Sequence, residues 1–181
     1  MRIFGIDPGS VRTGYGCIET DGSRCRRVVC GAVVPPSRIS FPDKLAYIFD
    51  ELALRLASCR PSVVAIEEVF YARNARSALK LGHVRGAALL AAAKAGLPVA
   101  EYAATAVKSA VVGYGRADKQ QVQRMVGLLL GLEEMPEPHD VSDALAIAIC
   151  HAHSGAFPVS VGRPSNSGVQ SWRRFRPPVD G

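Results

Sequence analysis

Four acidic residues lie at ends of predicted strands or at the start of a predicted helix, where catalytic residues are often found. Asp7 ends the strand-forming, mostly apolar run 1–6 and is followed by the turn Pro8-Gly9, and Glu67 ends a second such run, rich in β-branched residues, at 62–66. An isolated Asp-Pro-Gly is more often simply a turn, so its role depends on other acids lying nearby. Asp140 and Asp143 are three apart at the start of a predicted helix, which places them on one face where the helix dipole favours ionised carboxylates.

Carboxylates that converge in a partly dry cleft repel one another, and divalent cations relieve this repulsion. Hard oxygen ligands select Mg²⁺ or Mn²⁺ over zinc. We therefore predict two Mg²⁺ ions per active site, with Mn²⁺ able to substitute, about 4 Å apart as in two-metal phosphodiester cleavage. Each acid taken alone is also explained as a helix cap or a solvated charge, so the prediction depends on all four.

The distribution of charge indicates a polyanionic partner. The chain of 181 residues has a formal net charge of +6. Residues 71–124 hold nine Lys or Arg against two acids, a net of 9 − 2 = +7, whereas residues 133–143 hold five carboxylates and no Lys or Arg. A basic centre beside an acidic cluster suits a protein that binds a phosphate backbone and cuts it with metal ions. Two solvated faces of opposite charge would give the same composition.

Composition limits the class of protein. A hydrophobic content of 48% is enough for one globular domain. No run reaches the roughly 20 apolar residues of a membrane span, and no signal-peptide pattern is visible, so we expect a cytoplasmic protein without a membrane partner. Five cysteines without a Cys-x-x-Cys pair indicate reduced, mostly buried thiols rather than disulfides or a zinc site.

The order of predicted elements favours an α/β fold with a five-stranded mixed sheet covered by helices on both faces. Three strands come first, and strands then alternate with helices. The predicted strands span 1–7, 13–20, 24–34, 62–67 and 97–102. Three of the predicted helices span 41–58, 75–96 and 140–153. Two more, between 97–102 and 140, begin at 105 and after Asp118. Gly82 and Gly86, four apart, predict that another helix or backbone approaches closely there.

The C-terminal segment differs from the rest of the chain. Residues 154–181 are rich in Gly, Pro, Ser and Arg and have no periodicity, so we expect a basic, disordered tail after a domain of residues 1–153. Trp172 within it could stack on a base or on a partner, although a tail without fixed contacts is the simpler interpretation.

Six motifs together resemble the RuvC family of Holliday junction resolvases, in order and without large gaps over residues 1–153. They are Gly5-Ile6-Asp7-Pro8-Gly9, Thr13-Gly14-Tyr15-Gly16, Ala65-Ile66-Glu67-Glu68-Val69-Phe70, the run 74–82 (NARSALKLG), Val112-Gly113-Tyr114-Gly115 and the run 143–149 (DALAIAI). Each motif alone is weak, but the set is highly specific.

The resemblance implies a ribonuclease H-like fold and a homodimer that resolves four-way DNA junctions by paired, Mg²⁺-dependent nicks. It implies that Asp7, Glu67, Asp140 and Asp143 bind the metal. A branch-migration helicase is an expected partner. Glu68 is a second acid beside Glu67, but only one of the two can face the cleft and the motif favours Glu67. His139 could support Asp140 or be a plain loop histidine.

The resemblance also implies DNA contacts. Lys108 and Lys119 match basic positions near the cut strand, where they would contact phosphate or stabilise developing negative charge, so we place Lys119 among the catalytic residues. Phe70 resembles an aromatic residue that stacks at the junction centre, although core packing is an equal explanation. The residues expected to track the backbone are Arg73, Arg76 and Lys80.

Three other functions fit parts of the sequence. Actin-type and sugar-kinase-type ATP-binding proteins also begin with an Asp-x-Gly turn, but they need two such domains. A module that binds branched DNA without cutting it would need only the basic centre. A related nuclease that processes ribosomal RNA precursors shares the first Asp turn, although the motif at 74–82 fits the resolvases better.

Overall fold

The computed structural model describes residues 1–68, 74–134 and 136–155. Its strands are β1 Arg2–Asp7, β2 Thr13–Thr20, β3 Cys25–Val33, β4 Val63–Glu67 and β5 Val99–Tyr102. Its helices are α1 Phe41–Cys59, α2 Ala75–Lys94, α3 Ala104–Val112, α4 Lys119–Leu130 and α5 His139–His153. The predicted order of elements is confirmed.

The strands form one mixed sheet in the order β3-β2-β1-β4-β5. The first three strands pair antiparallel, because short turns join them, whereas β4 lies parallel to β1 and β5 lies parallel to β4. The helical connections before β4 and β5 allow this parallel pairing. As a result β1 lies at the centre of the sheet and β4 beside it.

Side-chain alternation along the strands produces two cores, one on each face of the sheet. On the front face, strand residues such as Ile3, Val63 and Ala65 pack against α3, α4 and α5. On the back face, residues such as Phe4 and Ile66 pack against α1 and α2. Odd-numbered positions of β1 and β4 therefore face the front.

Helix α5 lies very close to the sheet because two strand residues that face it are glycines. A Cβ atom at Gly5 would collide with the Ala144 carbonyl oxygen, and one at Gly14 would collide with the Asp140 carbonyl oxygen. A helix backbone can approach a strand backbone this closely only where the strand has no side chain. The two glycines thus fix the height and the position of α5 over β1 and β2.

Within the described chain, no other element packs against Gly82 and Gly86 of α2. A Cβ at Gly82 or Gly86 would meet no atom of the described chain within 4 Å, because α2 packs on the sheet side through Val84 and Ala88 instead. In α4, Leu129 is 37% exposed because the buried stripe runs through other positions of that helix. The buried positions of α4 are Val122, Val126, Gly127 and Leu130.

Two further observations concern the sequence predictions for the tail and for membranes. Residues 156–181, and with them Trp172, lie outside the described residues. Among the helices that the structure does describe, none has both the length and the apolar character required to span a bilayer.

Candidate active site

Strand register places Asp7 beside Glu67. Ile6 pairs with Ile66 in the parallel ladder of β1 and β4, so the next residues of the two strands are neighbours. Both belong to the odd-numbered, front-facing set and both are partly buried. The two carboxylates therefore project into the same space from adjacent strand ends.

The first turn of α5 brings the other two acids to this strand end. Gly14 pairs with Asp7 in the antiparallel ladder, and Asp140 lies directly against Gly14. Asp143, one turn further along the helix, lines a cleft together with Asp7 and Glu67. The N-terminus of α5 has no side-chain cap, and acids near such an end are stabilised by the helix dipole.

The cleft has a volume of about 260 Å³ and combines acids with two lysines. Lys108 comes from α3 and Lys119 is the first residue of α4, where Asp118 forms a capping box with Gln121. The capping box fixes the start of α4 and hence the position from which Lys119 extends. The remaining lining is apolar and is provided by Ala104, Val107, Val122, Ala146 and Ile147.

Two of the acids are paired with cationic side chains. Lys119 Nζ lies 3.3 Å from Asp143 Oδ2, and Arg12 Nη1 lies 3.2 Å from Asp140 Oδ2. Asp140 does not line the cleft itself, but its charge still acts on Asp7. The site is thus a row of carboxylates with a basic partner at each of the two helix acids.

Burial and crowding change the protonation of Asp7. Its removal from water raises the pKa of Asp7 to about 8, with further contributions from the charges of Asp143, Glu67 and Asp140. The positive charge of Lys119 opposes this shift. Without another cation, Asp7 is largely protonated at neutral pH, because four acids cannot all ionise in so small a space.

The same forces act more weakly on the neighbouring groups. Burial, followed by the charge of Asp143, raises the pKa of Glu67, and Lys119 and Lys108 oppose the shift. The carboxylate of Asp143 in turn raises the pKa of Lys119. Lys119 therefore stays positively charged throughout the neutral range.

The donor chemistry of this site fits hard divalent cations. The acids are oxygen donors, which hard divalent cations prefer, and burial together with the neighbouring carboxylates raises the pKa of Asp7, a shift that a bound cation would oppose. In residues 1–68, 74–134 and 136–155, however, no three acidic, His or Cys side chains stand close enough together to hold a metal ion. A cation bound by all four acids would have to displace Arg12 and Lys119 from Asp140 and Asp143.

Comparison with known protein families identifies the family of this chain. The family model described as "Crossover junction endodeoxyribonuclease RuvC" matches residues 3–151. The chain belongs to the RuvC family. This membership separates it from ATP-binding proteins and from nucleases of ribosomal RNA precursors.

Individual relatives agree with this family. The chain is 59% identical to the crossover junction endodeoxyribonuclease RuvC of Koribacter versatilis over 157 residues, covering 86% of this chain and 95% of the relative. The structure of Thermus thermophilus RuvC in complex with Holliday junction substrate matches with a TM-score of 0.81 and 37% identity, covering 85% of this chain and 94% of that one.

A more distant structure shows the fold alone. The yeast mitochondrial Holliday junction resolvase matches with a TM-score of 0.59 at 12% identity, covering 83% of this chain and 78% of that one. The five-stranded mixed sheet with helices on both faces is the ribonuclease H-like fold that the sequence predicts.

The remaining predicted residues of this RuvC-family chain have different positions. Arg76 and Lys80 are exposed in the first turns of α2, and the Lys80 ammonium lies 5.9 Å from the centre of the Phe41 ring. Phe70 and Arg73 lie outside the described residues. Arg76 and Lys80 extend from the back-face helix and do not line the cleft.

The structure also shows where Glu68 and His139 lie, the residues next to Glu67 and Asp140 in the sequence. Glu68 follows the last residue of β4, and its N–H donates to the Tyr102 carbonyl at 2.8 Å. Alternation directs its side chain to the back face, away from Asp7. His139 is exposed at the first position of α5.

Sequence reasoning did not identify the cationic partners Arg12 and Arg85. Arg12 contacts Asp140, 128 residues away along the chain. Arg85 donates from Nε to the Glu67 carbonyl oxygen at 3.4 Å. Neither arginine belongs to a local pattern that would reveal its partner.

Proposed function

We propose that this protein resolves four-way DNA junctions, making paired symmetric nicks in recombination and repair. The observation that carries this proposal is the convergence of Asp7, Glu67 and Asp143 with Lys108 and Lys119 in one cleft. Family membership supports the reaction class. The relative from Thermus thermophilus, described in complex with Holliday junction substrate, supports the substrate.

The four acids would hold Mg²⁺, two ions per active site, with Mn²⁺ as a substitute. Bound divalent cations supply activation of the attacking water and stabilisation of the leaving oxygen. Asp7 and Glu67 provide rigid ligands, because both extend from the ends of paired strands. Asp140 and Asp143 would provide further ligands if the cation displaced Arg12 and Lys119 from them.

The lysines act on the DNA rather than on the metal. Lys119, once released from Asp143, would neutralise charge that develops on the phosphate, and Lys108 also lines the cleft. Arg76 and Lys80 extend the positive surface along the start of α2 for backbone contacts. Phe70 and Arg73 belong to this proposal by their motif positions.

A homodimer would place two such clefts on one junction. Leu79, Gly82, Gly86 and Leu90 are spaced three, four and four residues apart, which puts them on one face of α2. Leu79 is 65% exposed and Leu90 is 53% exposed, and a Cβ at either glycine would meet no described atom within 4 Å. Apolar residues around small ones allow close helix approach, so we assign this stripe to the partner subunit.

The other expectations remain part of this proposal. The nuclease domain spans residues 1–153, and the basic segment 154–181 follows it. The protein acts in the cytoplasm together with a branch-migration helicase.

Pull-down of the helicase by full-length protein and by a chain ending at residue 155 distinguishes a contact through the segment from one through the domain.

Nick mapping on a mobile synthetic four-way junction tests the proposed function. The purified protein is incubated with Mg²⁺, Mn²⁺ or EDTA, and each strand is labelled in turn. We expect paired nicks at symmetric positions on opposing strands with either metal. We expect no nicks in EDTA or on linear duplex of the same sequence.

Two results would contradict the proposal in different ways. Tight junction binding without nicks in either metal would indicate a binding module whose acids do not act together. Equal nicking of junction and duplex would retain the nuclease chemistry but remove the structural selectivity.

A further inference from the structure

Arg85 links helix α2 to the strand that carries Glu67. Its Nε donates to the Glu67 carbonyl oxygen at 3.4 Å, and its terminal nitrogen forms an ion pair with Glu101 on β5. The Arg85 side chain is only 22% exposed. One guanidinium therefore connects a helix, the end of β4 and the neighbouring strand β5.

The contact lies behind the active site. Glu101 pairs with Ile66 in the β4-β5 ladder, and Ile66 belongs to the back-face core. The Glu67 carboxylate faces the front cleft. Arg85 thus holds the peptide of Glu67 from the side of the sheet opposite to the acids.

The end of β4 needs such support because the ladder stops there. Pro8, the residue after Asp7 on β1, has no N–H with which to continue backbone pairing. On the other side β5 ends at Tyr102, whose carbonyl accepts the Glu68 N–H. The arginine supplies a side-chain donor at a position where β1 cannot supply a backbone donor.

We propose that Arg85, oriented by Glu101, is a positioning residue that fixes the Glu67 carboxylate for divalent cation binding. Groups that orient metal ligands without touching the metal commonly change metal affinity by about 10- to 100-fold when they are removed. The inference rests on the proposed function only for its effect on cleavage. Its effect on cation binding can be measured without DNA.

The shape of the guanidinium makes the proposal specific to arginine. Nε and a terminal nitrogen point in different directions from one plane, so both contacts can form at once. Lysine has a single ammonium and can keep the ion pair with Glu101 while losing the bond to the Glu67 carbonyl. Methionine at residue 85 keeps the apolar stem and loses both contacts.

Four variants of the full chain separate positioning from general stability. R85M and R85K replace the arginine itself, and E101Q weakens the ion pair that orients it. R55M is the matched control. Arg55 is also a partly buried helical arginine on the back face, and it pairs with Glu51 rather than with a strand end. Mn²⁺ binding to DNA-free protein, followed by calorimetry and by electron paramagnetic resonance, is the first readout.

We expect R85M to weaken Mn²⁺ affinity by about 10-fold or more, with a smaller loss for E101Q and an intermediate loss for R85K. R55M should bind Mn²⁺ as the wild type does, even where it lowers the melting temperature similarly. In cleavage, R85M should show a lower single-turnover rate that excess Mn²⁺ restores. Its dissociation constant for the junction should stay within about twofold of wild type.

Wild-type Mn²⁺ affinity in folded R85M and R85K would overturn the inference. Equal losses of affinity in R55M and R85M would also overturn it, because they would show a general effect of stability. If the wild type binds Mn²⁺ but does not cleave junctions, the proposed function fails while the DNA-free comparison still decides the role of Arg85.

Discussion

Asp7 and Glu67 lie side by side at the ends of two adjacent parallel strands, one position beyond the paired residues Ile6 and Ile66. Paired strands do not allow the two carboxylates to move apart, so the pair is built into the sheet. Burial and the neighbouring acids raise the pKa of Asp7 to about 8. The fold therefore disfavours the ionised form of Asp7 unless a cation lies beside it.

The pKa of Asp7 predicts a pH-dependent gain in stability for D7N in EDTA. The folded-state pKa of about 8 lies above the ordinary value of 3.8, so the contribution of Asp7 to stability is fully present below pH 3.8 and is lost as the pH rises to about 8. Asparagine does not ionise and avoids this loss. We expect the advantage of D7N to grow by up to about 1.4 kcal/mol per pH unit in this window.

Urea unfolding of both proteins from pH 4 to pH 9 measures this difference. Saturating Mg²⁺ should reduce it at pH 8 by stabilising the ionised wild type. A constant difference between the two proteins across the whole range would contradict the account of Asp7.

Replacement of Lys119 should move the acid side of the pH-rate profile. The charge of Lys119 lowers the pKa of both Asp7 and Glu67, so K119M should raise both and shift the acid limb to higher pH. The maximal rate should fall as well, because a cation beside the phosphate is lost. Single-turnover cleavage from pH 5.5 to 9.5 checks both effects.

Lys94, in the last turn of α2, provides the control for this charge effect. K94M removes the same charge at a residue that does not line the cleft, and its profile should match the wild type. An unshifted acid limb in K119M would show that Lys119 does not control the protonation of the acids.

Gly14→Ala should displace the start of α5. A Cβ at Gly14 collides with the Asp140 backbone, so the helix must shift or the strand must bend. Overpacking of this kind costs about 1–3 kcal/mol. We expect a lower melting temperature and a greater than tenfold loss of cleavage, since about 1.4 kcal/mol at the transition state already corresponds to tenfold. Wild-type cleavage by G14A would show that the position of Asp140 is unimportant.

Leu79→Glu should dissociate the proposed dimer. The exposed stripe of α2 would carry a charge into an apolar helix contact, and sedimentation should then show a monomer at micromolar concentration. L54E is the control, because Leu54 is an exposed leucine on α1. A dimeric L79E protein would place the subunit contact elsewhere.

The sequence contains strong local signals for most of this architecture. Ser40 and Asn74, residue types that favour helix N-caps, cap α1 and α2 with side chains that accept hydrogen bonds from Asp43 N–H and Ser77 N–H. Asp7 and Glu67 could be proposed as neighbours because each ends an apolar run, and parallel strands end at the same edge. Alternation indicated that only one of Glu67 and Glu68 can face the cleft, and the motif favoured Glu67.

Contacts between distant segments could not be predicted in this way. The Arg12–Asp140 pair and the Tyr102–His151 hydrogen bond of 2.7 Å join segments that have no common pattern. The spacing of Gly82 and Gly86 indicates a close helix contact but not which helix makes it. In this chain α1 packs on another face of α2, and the glycines remain exposed.

Junction binding and cleavage by D7N, measured in parallel with D21N, test the central claim most directly. Asp21 lies in the turn between β2 and β3, and its Oδ1 accepts from Ser23 and Arg24, a role that asparagine can keep. We predict that D7N shows no nicks while binding the junction as tightly as the wild type or more tightly, and that D21N cleaves normally. Equal cleavage by D7N and wild type would contradict the assignment of this cleft as the active site.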